Sequence, residues 1–226
     1  MKSKRKILLL ASISLGVILL LLTVFLLAPF CKTKPFEEGD YAYGTNFVAT
    51  LEGVPVMRQT TAVTCGITSM AIVKSYLGLE ATERDILNLL NIPPKGMLPN
   101  DYLKYAKTVF APLAVSVSMV SPKSQAEILN VISRSLKNGL PVIIFYAVPD
   151  DWNKPHFNTH YSVVYGLDMK AKTVKISNPY GYLQELAFAE LYDGLDFTGY
   201  KGMPFGFRVA EKFGTVKRNT LIVFEK

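Results

Sequence analysis

The chain reads as an α+β fold preceded by one transmembrane helix. Three observations predict this. Residues 7–30 carry no charge, residues 65–137 hold several capped segments with helical spacing, and short β-rich runs dominate from Val142 to the end. Helices first and antiparallel strands second is an α+β order, unlike the alternation of βαβ units.

The N-terminal run sets the organisation. A helix over 7–30, at about 1.5 Å per residue, is long enough for a hydrocarbon core of ~30 Å. A cleaved signal peptide would have an apolar region of roughly 7–15 residues and then a small-x-small site. Here the run is longer and ends Leu27-Ala28-Pro29-Phe30-Cys31, with Phe30 where a lipoprotein needs a small residue. An uncleaved signal anchor is therefore expected, with residues 7–30 meeting membrane lipid. Lys2, Lys4, Arg5 and Lys6 precede the run, whereas Lys32 and Lys34 after it are followed by Glu37, Glu38 and Asp40. The Lys/Arg bias predicts a single-pass protein, its N-terminus cytoplasmic and its domain extracellular or periplasmic. The expected divisions are 1–31 for stub and anchor, 32–46 for a linker and 47–226 for one folded domain, a size that supports a real core.

The net charge of +7 comes from 25 Lys+Arg against 18 Asp+Glu. Six of the basic residues lie before position 35, leaving 19 against 18, a net of +1. A near-neutral domain argues against nucleic acid as a partner. Two Cys and two His are too few for a disulfide framework or a Cys/His zinc cluster, and no cofactor is expected. A Cys31–Cys65 disulfide would have to join the membrane border to the domain interior.

Within the domain, 47–56 looks extended. The polar loop 59–64 leads into 67–77, apolar enough for a buried helix and ended by Gly78. Thr82 caps a helix over 83–90 with acids in its first turn. Further helices are expected near 100–109 and 124–137, the latter stopped by Asn138-Gly139. The run 142–148 reads as a buried strand and 149–159 as a loop. Residues 160–166 and 173–177 read as a hairpin, 187–192 as a short helix and 221–224 as a closing strand.

Chemistry centres on Cys65, where polar loop becomes helix. The positive end of a helix dipole is expected to lower a thiol's pKa there, and Gly66 leaves room for a substrate. A thiolate nucleophile needs an imidazole, and only His156 and His160 are available. His160 is favoured because a strand fixes it, whereas His156 lies in mid-loop. An acid/base imidazole needs its other nitrogen held. Asn178, at the end of the partner strand in the hairpin, can accept from that N–H. Gln59, six residues before Cys65, can join the Cys65 N–H in a two-donor oxyanion hole.

Gln59-x5-Cys65-Gly66 opening a helix, the strand His160-Tyr-Ser-Val-Val-Tyr-Gly166 and the later Asn178-Pro-Tyr-Gly181 together resemble the C39-like peptidases. These are papain-like cysteine peptidases related to double-glycine leader peptidases. The resemblance covers about 54–226. It implies a papain-like fold and hydrolysis of a peptide or protein substrate, in the manner of cleavage after small residues such as paired glycines. It also implies Cys65 as nucleophile, His160 as base, Asn178 as orienter and Gln59 as oxyanion donor. Two departures stand out: Asn178 occupies a position where Asp is commoner, and Ile67 stands where many members have Pro or Val. No transporter domains follow, so an exporter role is not implied.

Other readings stay open. Cys65 can be an ordinary buried helix cysteine, and Asn178-Pro179-Tyr180-Gly181 a plain turn. Trp152 and the loop 150–158, with Asp150 and Asp151, read equally as a groove rim or as surface. Related domains that have lost the cysteine bind peptides without cutting them, and a peptidyl or acyl transferase would use the same Cys-His site.

Overall fold

The computed structural model describes residues 2–27, 41–149, 157–197 and 203–226, with side chains of the first helix described over 12–24. The transmembrane helix expected ahead of the domain is corrected. Helix α1 (Lys2–Leu27) forms, but among the described residues no helix is long and apolar enough to cross a membrane. Cys31 and most of the expected linker lie outside the described residues.

The rest is α+β, as the order of the segments predicts. After β1 (Val48–Thr50) come α2 (Cys65–Tyr76), α3 (Glu83–Leu90), α4 (Pro99–Phe110), β2 (Ser116–Val120) and α5 (Gln125–Lys137). Strands β3 (Val142–Pro149), β4 (Phe157–Asp168), β5 (Thr173–Asn178) and β6 (Tyr182–Ala187) follow. Helices α6 (Phe188–Leu195) and α7 (Phe205–Lys212) precede β7 (Thr220–Glu225). The sheet is antiparallel in the order β2-β7-β3-β4-β5-β6, with β1 added to β4.

Helix boundaries follow local chemistry. Thr82 accepts the Asp85 N–H at 3.2 Å while Asp85 accepts the Thr82 N–H at 2.8 Å, a reciprocal cap that starts α3 where expected. Ser124 caps α5 from one side, its hydroxyl accepting the Glu127 N–H. The extended run expected over 47–56 narrows to β1. Pro55 cannot donate to a ladder, yet the chain still tracks β5, with Ser177 donating to the Pro55 carbonyl at 2.8 Å.

The sheet is covered on both faces, which is why β3 is apolar throughout. Its Ile143, Phe145 and Ala147 join the core beneath α2 and α4, while Val142, Ile144, Tyr146 and Val148 join the core beneath α5 and α6. Period-two alternation thus feeds two cores from one strand. Helix α2 is buried continuously from Cys65 through Val73 and packs on β4.

Strand β4 positions the site. Its later half pairs with β5 from Val163↔Ser177 to Asp168↔Thr173, and its earlier half pairs only with β3. Before Val163 the β5 side of β4 is unpaired, and His160 and Tyr161 lie in that stretch. The expected hairpin forms, but β4 begins three residues earlier than the sequence indicates.

Candidate active site

Cys65 is the first residue of α2, a free thiol only 8% exposed. Thr64 before it makes no side-chain cap, so the first amides of α2 are left to other acceptors. The backbone N–H groups of Tyr161, Gly66 and Cys65 itself favour the thiolate. Burial works against them and outweighs them, so the thiol is pushed above its ordinary value. The lowering expected from the helix dipole is therefore overturned: desolvation exceeds it. Because the Tyr161 amide acts on the thiol, Cys65 lies against the unpaired stretch of β4.

His160 is 1% exposed, and its Nε2 lies 3.0 Å from Asn178 Oδ1. Continuing the β4–β5 register past Val163↔Ser177 would set Tyr180 opposite His160, two residues from Asn178, so the pair meets diagonally on one sheet face. The donor direction follows from the turn. The Tyr180 backbone N–H also points at Asn178 Oδ1, at 3.0 Å, and an N–H can only donate. The atom facing His160 is therefore the carbonyl oxygen, and Nε2 carries the proton. Asn178 Nδ2 donates to Gln184 Oε1 at 3.1 Å, which holds the carboxamide from its other side. Nδ1 is then the basic nitrogen of a neutral imidazole. Burial lowers the His160 pKa to about 4, opposed in part by the Asn178 bond.

Asn178 is thus both the end of β5 and the start of a turn. Tyr180, in that turn, stacks on the imidazole at 4.4 Å between centroids and 18° between planes. It is 37% exposed and forms an outer face over the buried ring. The sequence gives Tyr180 a place only in the 178–181 motif and Gln184 none, since neither stacking nor the Asn178 contact leaves a spacing signature.

Gln59 reaches the site through the loop before α2. Its backbone N–H donates to the Pro179 carbonyl at 2.7 Å, tying it to the Asn178 turn. Its Nε2 donates to the Thr61 carbonyl at 2.7 Å, which uses one of two amide hydrogens and leaves the second. With Arg58, Thr60, Thr61, Ala62 and Tyr180 it lines an open cleft. Arg58 bridges to Tyr180 and packs over Gly181.

The structure therefore brings together His160 and Asn178 by hydrogen bond, Cys65 and the neighbour of His160 by backbone contact, and Gln59 and the Asn178 turn by backbone hydrogen bond. Cys65 and His160 are not hydrogen-bonded to each other among the described residues. A further residue, missed as a site element, is Glu83. It is 7% exposed and accepts hydrogen bonds from the Thr60 N–H at 2.9 Å, the Thr60 hydroxyl and the Thr68 hydroxyl at 2.7 Å. Its only sequence signal was its place in a helix first turn. Trp152, Asp150, Asp151 and His156 lie outside the described residues. Among the described residues no group of three His, Cys, Asp or Glu is placed to hold a metal.

A solved structure shares this fold. A crystal structure described as a C39-like peptidase from Bacillus anthracis aligns with a TM-score of 0.53 at 17% identity, covering 80% of this chain and 98% of its own. A double-glycine motif protease of a transporter, solved with a leader peptide, aligns with a TM-score of 0.47 at 17% identity, covering 79% and 97%. No curated protein matches the chain. The sequence model of the Peptidase_C39 like family matches residues 51–197, more than half of the chain and the span that holds Gln59, Cys65, His160 and Asn178. The chain belongs to the Peptidase_C39 like family.

Proposed function

We propose that the protein is a cysteine peptidase that hydrolyses a peptide bond through a thioester on Cys65. The observation that carries this reading is the His160–Asn178 contact, whose polarity the Tyr180 amide fixes, so that Nδ1 is the nitrogen able to take a proton. As Sγ attacks the substrate carbonyl carbon, the thiol proton passes to Nδ1. The developing oxyanion takes the Cys65 N–H and the second Nε2 hydrogen of Gln59. The tetrahedral adduct then collapses, breaking the C–N bond, and the departing amine takes the proton from Nδ1. Water, deprotonated by Nδ1, attacks the thioester, releasing the carboxylate product and restoring the thiol. Family membership supports a peptide substrate, and a peptide carrying paired glycines is the first to offer.

One observation favours a second reading, a peptide-binding module without turnover: the thiol is raised and not hydrogen-bonded to the imidazole. Catalytic hydrogen bonds are often long before substrate binds, so the same experiment decides both. Cys65→Ala should abolish hydrolysis of peptides while the thermal midpoint stays near that of the wild type. Equal turnover by the variant would refute the assignment of the nucleophile. Peptide binding without turnover by the wild type would favour the binding module.

A further inference from the structure

Glu83 is a buried carboxylate that the chemistry above leaves unused. Asp196, the other buried acid among the described residues, is matched by Arg218 at 3.0 Å. Glu83 has no cation within ion-pair distance among the described residues. Burying a carboxylate without a cation is costly unless hydrogen bonds satisfy it. Three do so, and all three come from residues that flank the candidate catalytic groups. Thr60, which supplies a backbone N–H and a hydroxyl, follows Gln59 directly. Thr68, which supplies a hydroxyl at 2.7 Å, lies one helical turn after Cys65. The intervening loop closes on itself, with the Thr64 hydroxyl donating to the Thr61 carbonyl at 3.2 Å. That carbonyl also receives Gln59 Nε2.

We propose that Glu83 is a positioning residue that clamps the Gln59 loop to the helix of Cys65, setting the distance between the two oxyanion donors. This rests on the peptidase reading above. A donor pair stabilises an oxyanion only if both point at one place, and rigid support for each is what holds that geometry. Glu83 holds the two elements together through Thr60, by its N–H and hydroxyl, and through the Thr68 hydroxyl, from a helix that carries no catalytic group itself. A negative charge this near the thiol disfavours the thiolate, so its presence at the site is not explained by nucleophile activation. Positioning accounts for it.

The test is a double-mutant cycle on peptide hydrolysis by the full chain. Glu83→Gln keeps the shape and weakens the clamp. It should lower kcat by about tenfold or more, with KM within about twofold. Alkylation of Cys65 by iodoacetamide should not slow. Added to Gln59→Ala, Glu83→Gln should cost little more, because its effect runs through Gln59. Should Glu83→Gln fail to fold, Thr60→Ala, at an exposed position, removes one hydroxyl contact and is expected to lower kcat several-fold. Its loss should likewise vanish in the Gln59→Ala background. Wild-type kcat in the folded variant, or a loss fully additive with Gln59→Ala, would reduce Glu83 to a structural staple and overturn the proposal. A wild type with no turnover of any peptide would instead overturn the peptidase reading, and this proposal with it.

Discussion

At the scale of the residue, the site is governed by burial more than by charge. Asn178 orients the His160 ring but brings no negative charge to stabilise an imidazolium, and the ring is 1% exposed. Its pKa therefore falls to about 4, while burial raises the Cys65 thiol. Between these limits the resting pair is a thiol and a neutral imidazole, and the proton moves only as Sγ attacks. A protonated imidazole cannot take that proton, so kcat/KM should fall as pH drops through about 4, rather than through the ordinary histidine range near 6.5. A pH–rate profile reads this directly, and an acidic limb near 6.5 would show that the ring is better solvated than its packing implies. Cys65, His160, Asn178 and Gln59 were singled out in the sequence because residue type and spacing within a hairpin or before a helix limit which groups can meet, and of these the His160–Asn178 contact is present in the structure. The thiol's raised pKa was not legible, because desolvation depends on neighbours that are distant in sequence.

At the scale of the element, the turn 178–181 does more than join two strands. It carries the oxygen that holds His160, the amide that fixes that oxygen and the aromatic ring that covers the imidazole. Gly181 allows it to close. Its φ is +95°, and an added Cβ would lie 2.9 Å from Arg58 Cβ. Gly181→Ala should therefore destabilise the fold by about 1–3 kcal/mol. Because the turn orients Asn178, it should also lower kcat. Urea unfolding and steady-state kinetics of the variant check both effects, and unchanged values would show that the turn adapts. Helices α3 and α5 were readable from their caps, and β5 from its β-branched residues. Strand β6 was not, because Tyr182-Leu-Gln-Glu-Leu-Ala187 has weak β propensity and is a strand by virtue of pairing with β5. Helix α7 is short and contains Gly206, so its pattern gave no signal.

At the scale of the whole molecule, the site exists because chain order and spatial order differ. The last strand, β7, sits inside the sheet between β2 and β3, joining the N-terminal helical half to the C-terminal strands. The sequence supports an α+β class but not this interleaving, since strand pairing across more than a hundred residues leaves no local trace. The helix α2 then lies against the unpaired stretch of β4, and the loop before it against the β5–β6 turn. Only the complete fold joins His160 to Asn178 and ties the loop of Gln59 to the Asn178 turn.

The most direct measurement of the central claim is mass spectrometry of the full chain after brief exposure to a peptide with an electrophilic carbonyl at its scissile position. The site described here predicts a single adduct on Cys65. Formation of that adduct should slow by about a hundredfold or more in His160→Gln, and it should be absent in Cys65→Ala. Labelling of Cys65 at equal rates in wild type and His160→Gln, no faster than an unactivated thiol, would contradict the claim that these residues form a catalytic pair.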